Sequence, residues 1–335
     1  MPKKIFFFIT VDHLAPTDLA CYANRETRTP SLDALVLDGV VFDEHYAPAT
    51  FHNASSNAWM TGQPTHLQNE AASTGLQPSL TNEFMETLVS KKVYVSEIDY
   101  PDNGFSEQLH QFFDAAHQQD RSLCWLRLST PCDATVSEKA TQLDDAISNL
   151  QKNIEKDWDA SIIWLITAAQ EQSSEDELSE NFSAFYASQL QQSLSRKLWR
   201  PLILSGNFLP EDCPQRIQSL TVAQDIHWTI CDFLDCETPA GLTFQSLLTI
   251  LSQPQQQERQ LLLLDENQAG LRTSGDLTVI TINPDEETVP TAQYYLKPED
   301  RNDVNDLSAT APEHVEKRVA KLKILLEKID KSEPG

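Results

Sequence analysis

Asp12, His13 and His52 are the side chains whose types best suit chemistry. Asp12 closes the apolar run KIFFFITVD, and His13 follows it directly. His52 lies in the stretch YAPATFHNASSNAWMTG, residues 46–62, just before the small polar residues Asn53, Ser55 and Ser56. One carboxylate and two imidazoles form a three-donor set that suits zinc or another divalent transition metal, provided the fold brings them together. His52 could instead act as a nucleophile, oriented by the hydroxyl of Thr50, Ser55 or Ser56. The plain alternative is a pair of histidines satisfied by local hydrogen bonds. Among the other reactive types, His45 is expected to be a solvated loop histidine and His66 a structural one. No Lys or Arg adjoins Cys132 in sequence to lower its pKa, and the acidic run at 173–180 reads as a solvated helix start or loop.

The elements that must position these groups follow from the patterning. An apolar run bounded by turn residues suits a strand buried on both faces, and the ligand crevice of an open α/β sheet lies beyond the ends of such strands. Asp12 is therefore expected at a crevice. Thr29 and Pro30 form an N-cap and N1 pair for a helix that ends at Gly39, and residues 40–42 form a short strand. A helix is expected over 53–60, with its N-terminus and free N–H groups beside His52. Further helices are expected over 81–90 and along Ala140, Leu143, Ile147, Leu150 and Ile154, with strands at 93–98, 122–128 and 160–167. Val222, Ile226, Ile230 and Phe233 form another helical stripe. Pro254 and the Gln-rich QPQQQERQ mark a boundary, giving expected units 1–253 and 258–335. Beyond it come strands at 261–264 and 277–282. A terminal helix then carries Val315, Val319, Leu322, Leu326 and Ile329 on one face.

Composition narrows the partners. A chain of 335 residues, 40% of them hydrophobic, can bury a large core. Its net charge of -25 repels polyanions, so nucleic acid and anionic membranes are expected to be poor partners. The apolar FFFIT run is too short for a signal-peptide core and flows into Asp12. No stretch approaches the roughly 18 apolar residues that span a bilayer. Six cysteines without a spaced framework suit free thiols, and the expected location is cytoplasmic.

The segment ITVDHLAPTDLACYANRETRTPSLDALVLDGVVFDEHYAPATFHNASSNAWMTGQPTH resembles the N-terminal signature of the sulfatase family, within the alkaline phosphatase superfamily. Cys21, Tyr22 and Asn24 match its "CYGN". Thr29, Pro30, Leu32, Asp33 and Gly39 match its "TPNLDRLAAEGVRF", and Tyr46, Ala47 and Pro48 match its "YAP". Thr61 and Gly62 match its closing Thr-Gly. The likeness continues through RPLILSGN and the segment 219–248 to the C-terminal helix, from about residue 4 to about residue 329. It implies an α/β fold: a mixed, mostly parallel sheet sandwiched between helices. A small C-terminal α+β subdomain of antiparallel strands and one long helix follows.

The same register implies that the family's chemistry is missing. His52 falls where the family has the Cys or Ser that becomes formylglycine, so no formylglycine is expected. Ala54 stands for the Pro of that motif, Ser55 for its Ser and Ser56 for its Arg. Of the four metal-ligand positions Asp12 is retained, His13 replaces an acid, and Ala168 and Ala169 carry methyl groups. Thr130 and Cys132 replace an Asp and a substrate-contacting His, and SEIDYPDNGF carries no Lys-x-His. The resemblance thus implies a crevice of His52, Asn53, Ser55, Ser56 and Cys132 in a degenerate sulfatase-like protein. The expected function is binding of a small anionic ligand or a protein partner without sulfatase turnover. The alternative is a metal-dependent sulfuric or phosphoric ester hydrolase rebuilt on Asp12, His13 and His52.

Overall fold

The run of aromatic and branched residues in Lys3–Asp12 forms β1, an interior strand of a seven-stranded sheet, third in its order. Because side chains alternate across a strand, this run feeds two cores. Ile5, Phe7, Ile9 and Val11 enter one, while Phe6 and Phe8 enter the other. Each buried Phe contributes about 2–3 kcal/mol of transfer free energy, which is why β1 is apolar throughout rather than alternating. The computed structural model describes residues 2–50, 54–63, 78–131, 134–154, 158–169, 193–210, 212–237, 244–253, 259–265, 267–282 and 291–330.

In chain order β1 is followed by α1 (Pro30–Leu37), β2 (Gly39–Phe42), β3 (His45–Tyr46), α2 (Ala54–Thr61) and α3 (Pro78–Ser90). Next come β4 (Tyr94–Tyr100), α4 (Phe105–Ala116), β5 (Arg121–Leu128), α5 (Val136–Lys152) and β6 (Ala160–Ala169). The chain continues with α6 (Leu194–Leu198), β7 (Leu202–Ser205), β8 (Arg216–Ile217), β9 (Thr221–Val222), α7 (Ala223–Phe233) and α8 (Leu247–Ser252). The large sheet runs β4-β5-β1-β6-β7-β2-β8. Its pairings are parallel except where β7 lies antiparallel to β6 and β2.

Four antiparallel strands make the C-terminal sheet: β10 (Gln260–Leu264), β11 (Gln268–Thr273), β12 (Asp276–Thr281) and β13 (Ala292–Leu296). The long helix α9 (Pro312–Asp330) packs on it through Leu322. The mixed sheet with helices and the C-terminal α+β unit are as the sequence implied. Among the described residues, no helix is long and apolar enough to cross a membrane.

The start of α1 lies where the sequence places it, with Pro30 at its first position. Thr29 is the N-cap residue of α1, but its hydroxyl turns to Asp33. The first free N–H groups, on Ser31 and Leu32, donate instead to Asp144 Oδ1 at 2.7 and 2.9 Å. A carboxylate from α5 thus supplies the negative charge that a helix N-terminus favours, and locks α1 to α5.

Candidate functional site

Parallel pairing brings the C-terminal ends of β1, β5 and β6 to one edge of the sheet. Val11 pairs with Leu128 and with Ala168, and Asp12 pairs with Ala169. The His13 N–H extends the ladder by one bond, donating to the Ala169 carbonyl at 3.1 Å. His13 then leaves the strand with φ 55, a left-handed conformation that a bulky residue adopts at a cost of order 1 kcal/mol. Two further bonds fix this exit. Thr130 Oγ1 donates to the Asp12 carbonyl at 2.8 Å, and Lys139 Nζ donates to the His13 carbonyl at 3.3 Å.

The second cation arrives from the antiparallel strand. Leu202 on β7 pairs with Thr167 on β6, which places Arg200 beside the same edge. Arg200 is buried; its N–H donates to the His45 carbonyl at 2.9 Å, and Nη1 donates to the carbonyls of Lys197 and Trp199. Burial lowers its pKa to about 10, still far above neutrality. Burial first, then the charges of Lys139 and Arg200, push His13 down to about 4, so its imidazole is neutral at pH 7. Neither cation was singled out by sequence reading. Lys139 is one of several charged residues on α5, and only the pairing of β6 with β7 brings Arg200 to this edge.

Ala168 and Ala169 are 1% and 7% exposed and belong to the two apolar cores. A divalent cation needs several oxygen or imidazole donors to offset its dehydration. Asp12 and His13 are the donors that the described residues of this edge present, with Lys139 and Arg200 adding like charge. These residues do not fit the divalent cation that the resemblance implies. Among the described residues, no group of three or more His, Cys, Asp and Glu side chains is placed to hold a metal ion. His52, Asn53, Cys132 and His66 lie outside the described residues, as does the run at 173–180.

Ser55 and Ser56 are buried in the first turn of α2. That helix is anchored by Trp59, which meets Phe8 edge-on at 5.3 Å, and by His227, whose Nδ1 lies 2.9 Å from the Trp59 carbonyl. The helix ends at Gly62 with φ +61, where a Cβ would stand 2.7 Å from the His227 ring. Thr61 and Gly62 therefore close α2 against α7. His45 departs from its expected place on a solvated loop. It is buried in β3, which pairs with β9, and its Nδ1 lies 3.0 Å from Thr221 Oγ1. The apolar neighbours Tyr46 and Ala47 pull that segment into the core.

No protein-family model matches the chain. A 62-residue stretch, 18% of the chain, is 42% identical to steryl-sulfatase of Rattus norvegicus but spans only 11% of that protein. Solved structures match over nearly the whole chain. The crystal structure of Ps i-CgsB with k-i-k-neocarrahexaose superposes at a TM-score of 0.69 and 12% identity, covering 97% of this chain and 93% of that one. A 2-O GAG sulfatase superposes at a TM-score of 0.65 and 13% identity, covering 98% and 91%. The chain has a sulfatase-family fold.

Proposed function

We propose that this chain binds a small anionic ligand at the C-terminal edge of β1, β5 and β6 without sulfatase turnover. The observation that carries the reading is the convergence of Lys139 and Arg200 on His13, where the retained Asp12 meets the methyls of Ala168 and Ala169. Two cations in a partly desolvated crevice attract an anion and repel a divalent metal. The crevice positions His52, Asn53, Ser55, Ser56 and Cys132 complete the proposed site. Losing a nucleophile alone costs on the order of a million-fold in a concerted catalytic set, and here the paired metal positions have changed as well. A protein partner presenting a carboxylate or sulfate would use the same edge.

Calorimetric titration with sodium sulfate tests this, alongside hydrolysis of 4-nitrophenyl sulfate. The expected result is saturable sulfate binding, weakened about tenfold in Lys139→Met, with no turnover. Measurable ester hydrolysis, or sulfate binding indifferent to Lys139, would sink it.

A second reading has one observation in its favour. The imidazole of His13 is neutral at pH 7 and adjoins Asp12, the protonation state in which a histidine ligates metal. On that reading Asp12, His13 and His52 hold a transition metal for sulfuric or phosphoric ester hydrolysis. Stoichiometric zinc that is lost in a His13→Ala, His52→Ala double variant would favour it.

A further inference from the structure

The segment 45–50, which leads into α2, is held by two runs of chain that come from elsewhere. On one side lie residues 197–200, from the end of α6. The Ala47 N–H donates to the Leu198 carbonyl at 2.8 Å, Tyr46 bridges Trp199, and the Arg200 N–H donates to the His45 carbonyl. On the other side lies the end of β10 in the C-terminal sheet. The Thr50 N–H donates to the Leu264 carbonyl at 3.0 Å, the Leu264 N–H donates to the Pro48 carbonyl at 3.1 Å, and Ala49 bridges Leu264.

One carboxylate joins these three pieces. Asp265 Oδ1 accepts from Thr50 Oγ1 at 2.6 Å, and Oδ2 accepts from Lys197 Nζ at 2.6 Å. The Lys197 and Asp265 side chains are 19% and 14% exposed, so the ion pair is partly shielded from water. Lys197 also offers its carbonyl to Arg200 Nη1. The junction therefore touches both the segment that presents α2 and the run that carries one of the two crevice cations.

We propose that Asp265 is a positioning residue for the crevice. Its two oxygens set the register of segment 45–50 against residues 197–200, and so fix the entry to α2 and the place of Arg200. The C-terminal sheet thereby forms part of the crevice's support rather than an appendage to it. An amide cannot replace the carboxylate. With its oxygen on Thr50 its NH2 faces the Lys197 ammonium, and with its oxygen on Lys197 the Thr50 hydroxyl loses its acceptor. The proposal rests on the anion-binding reading only for what the crevice holds; the junction itself is independent of it.

Hydrogen exchange read by mass spectrometry tests it on the whole chain, with Asp265→Asn, Thr50→Val, Thr50→Ser and Arg318→Met. The last variant breaks the Arg318–Asp276 pair inside the C-terminal unit, away from the junction. Asp265→Asn and Thr50→Val are expected to speed exchange over 45–50 and the start of α2 by about tenfold while β1 and β12 stay protected. Thr50→Ser, which keeps the hydroxyl, should exchange as the parent does. Unchanged exchange over 45–63 in Asp265→Asn, or an equal rise there in Arg318→Met, overturns the proposal. A second arm titrates sodium sulfate. If the parent binds sulfate, Asp265→Asn should bind about tenfold more weakly through lost preorganisation, and unchanged affinity would again overturn positioning. If the parent binds no sulfate, the anion reading fails, and the exchange data alone decide the role of Asp265.

Discussion

Two regions of this molecule arrange buried or half-buried charge in opposite ways. Along the seam between the large sheet and the C-terminal sheet, opposite charges meet in pairs. Arg272 Nη2 donates to Glu44 at 2.8 Å, with Tyr46 OH on the same carboxylate. Arg259 grips Asp225 through two bonds of 2.8 Å while Asp225 also accepts from the N–H groups of Val222 and Gln245. At the edge of β1, by contrast, Lys139 and Arg200 both bear on one neutral imidazole beside the Asp12 carboxylate. Paired burial in good geometry is how a fold tolerates ions in its interior. Gathering like charge costs stability, and such arrangements concentrate at places that bind something.

The largest effect should come from breaking the seam. In Arg259→Met, the Asp225 carboxylate, at 0% exposure, keeps its two backbone donors and loses its counter-ion. Urea unfolding should show a loss of about 3–5 kcal/mol, the cost of an uncompensated buried charge. A loss below about 1 kcal/mol would place this pair with exposed ones and remove the contrast between the two regions.

A smaller effect per group, about 2–3 kcal/mol between pH 6.5 and 4.5, is expected from each of two buried histidines that flank the seam. Burial, then Arg200 and Arg259, hold His45 at about 3. Burial likewise holds His227 at about 4, against hydrogen bonds to Trp59 and Met60 that act the other way. Both lie below the ordinary value near 6.5, so the unfolded chain binds protons that the folded chain refuses. Stability from this source is complete above about pH 6.5 and is lost as pH falls toward 4, at about 1.4 kcal/mol per pH unit for each group. Unfolding free energies measured between pH 7 and 4.5 should fall along this slope, to which His13, also held at about 4, adds an equal share, and His227→Gln should remove about a third of the total. A flat profile over that window would mean that none of these rings is buried neutral.

The fold was legible because its signals are local. The run at 3–12, the Pro30 start and the stripe on α5 each carry their own periodicity, and the signature between Cys21 and Gly62 fixed the register. The helix Phe105–Ala116 carries a signal of the same kind, with Phe105, Leu109, Phe112, Phe113 and Ala116 buried at helical spacing, and is an element beyond those expected from the sequence. Strand β11 was hidden for a physical reason. Its Arg272 looks outward by residue type but is 1% exposed, because its partner Glu44 lies 228 positions away. The candidate site failed in the same manner. Asp12, His13 and the two alanines could be read from the chain, whereas Lys139 and Arg200 act there through strand order alone. His45 departs from the solvated loop expected of a polar residue before a turn motif, because its neighbours Tyr46 and Ala47 pack on Leu198, Leu220 and Val222 from distant segments.

The smallest expected effect sharpens the contrast most. Lys139→Met removes one of these two cations, and the ammonium it loses holds a part-buried 3.3 Å bond to the His13 carbonyl. Its loss should change unfolding free energy by less than about 1 kcal/mol, far below the seam variant. Yet it should raise the His13 pKa from about 4 toward the ordinary value, because one of the charges opposing protonation has gone while burial and Arg200 remain. Histidine ring resonances followed by NMR between pH 3 and 7, with a chelator present so that only protons compete for the imidazole, read this shift directly. A His13 that titrates identically in parent and variant would mean that the Lys139 charge does not reach the crevice. A variant that loses several kcal/mol would make Lys139 part of the framework, as the seam cations are. A raised pKa at nearly constant stability is the signature of a cation kept for what it faces rather than for what it holds together.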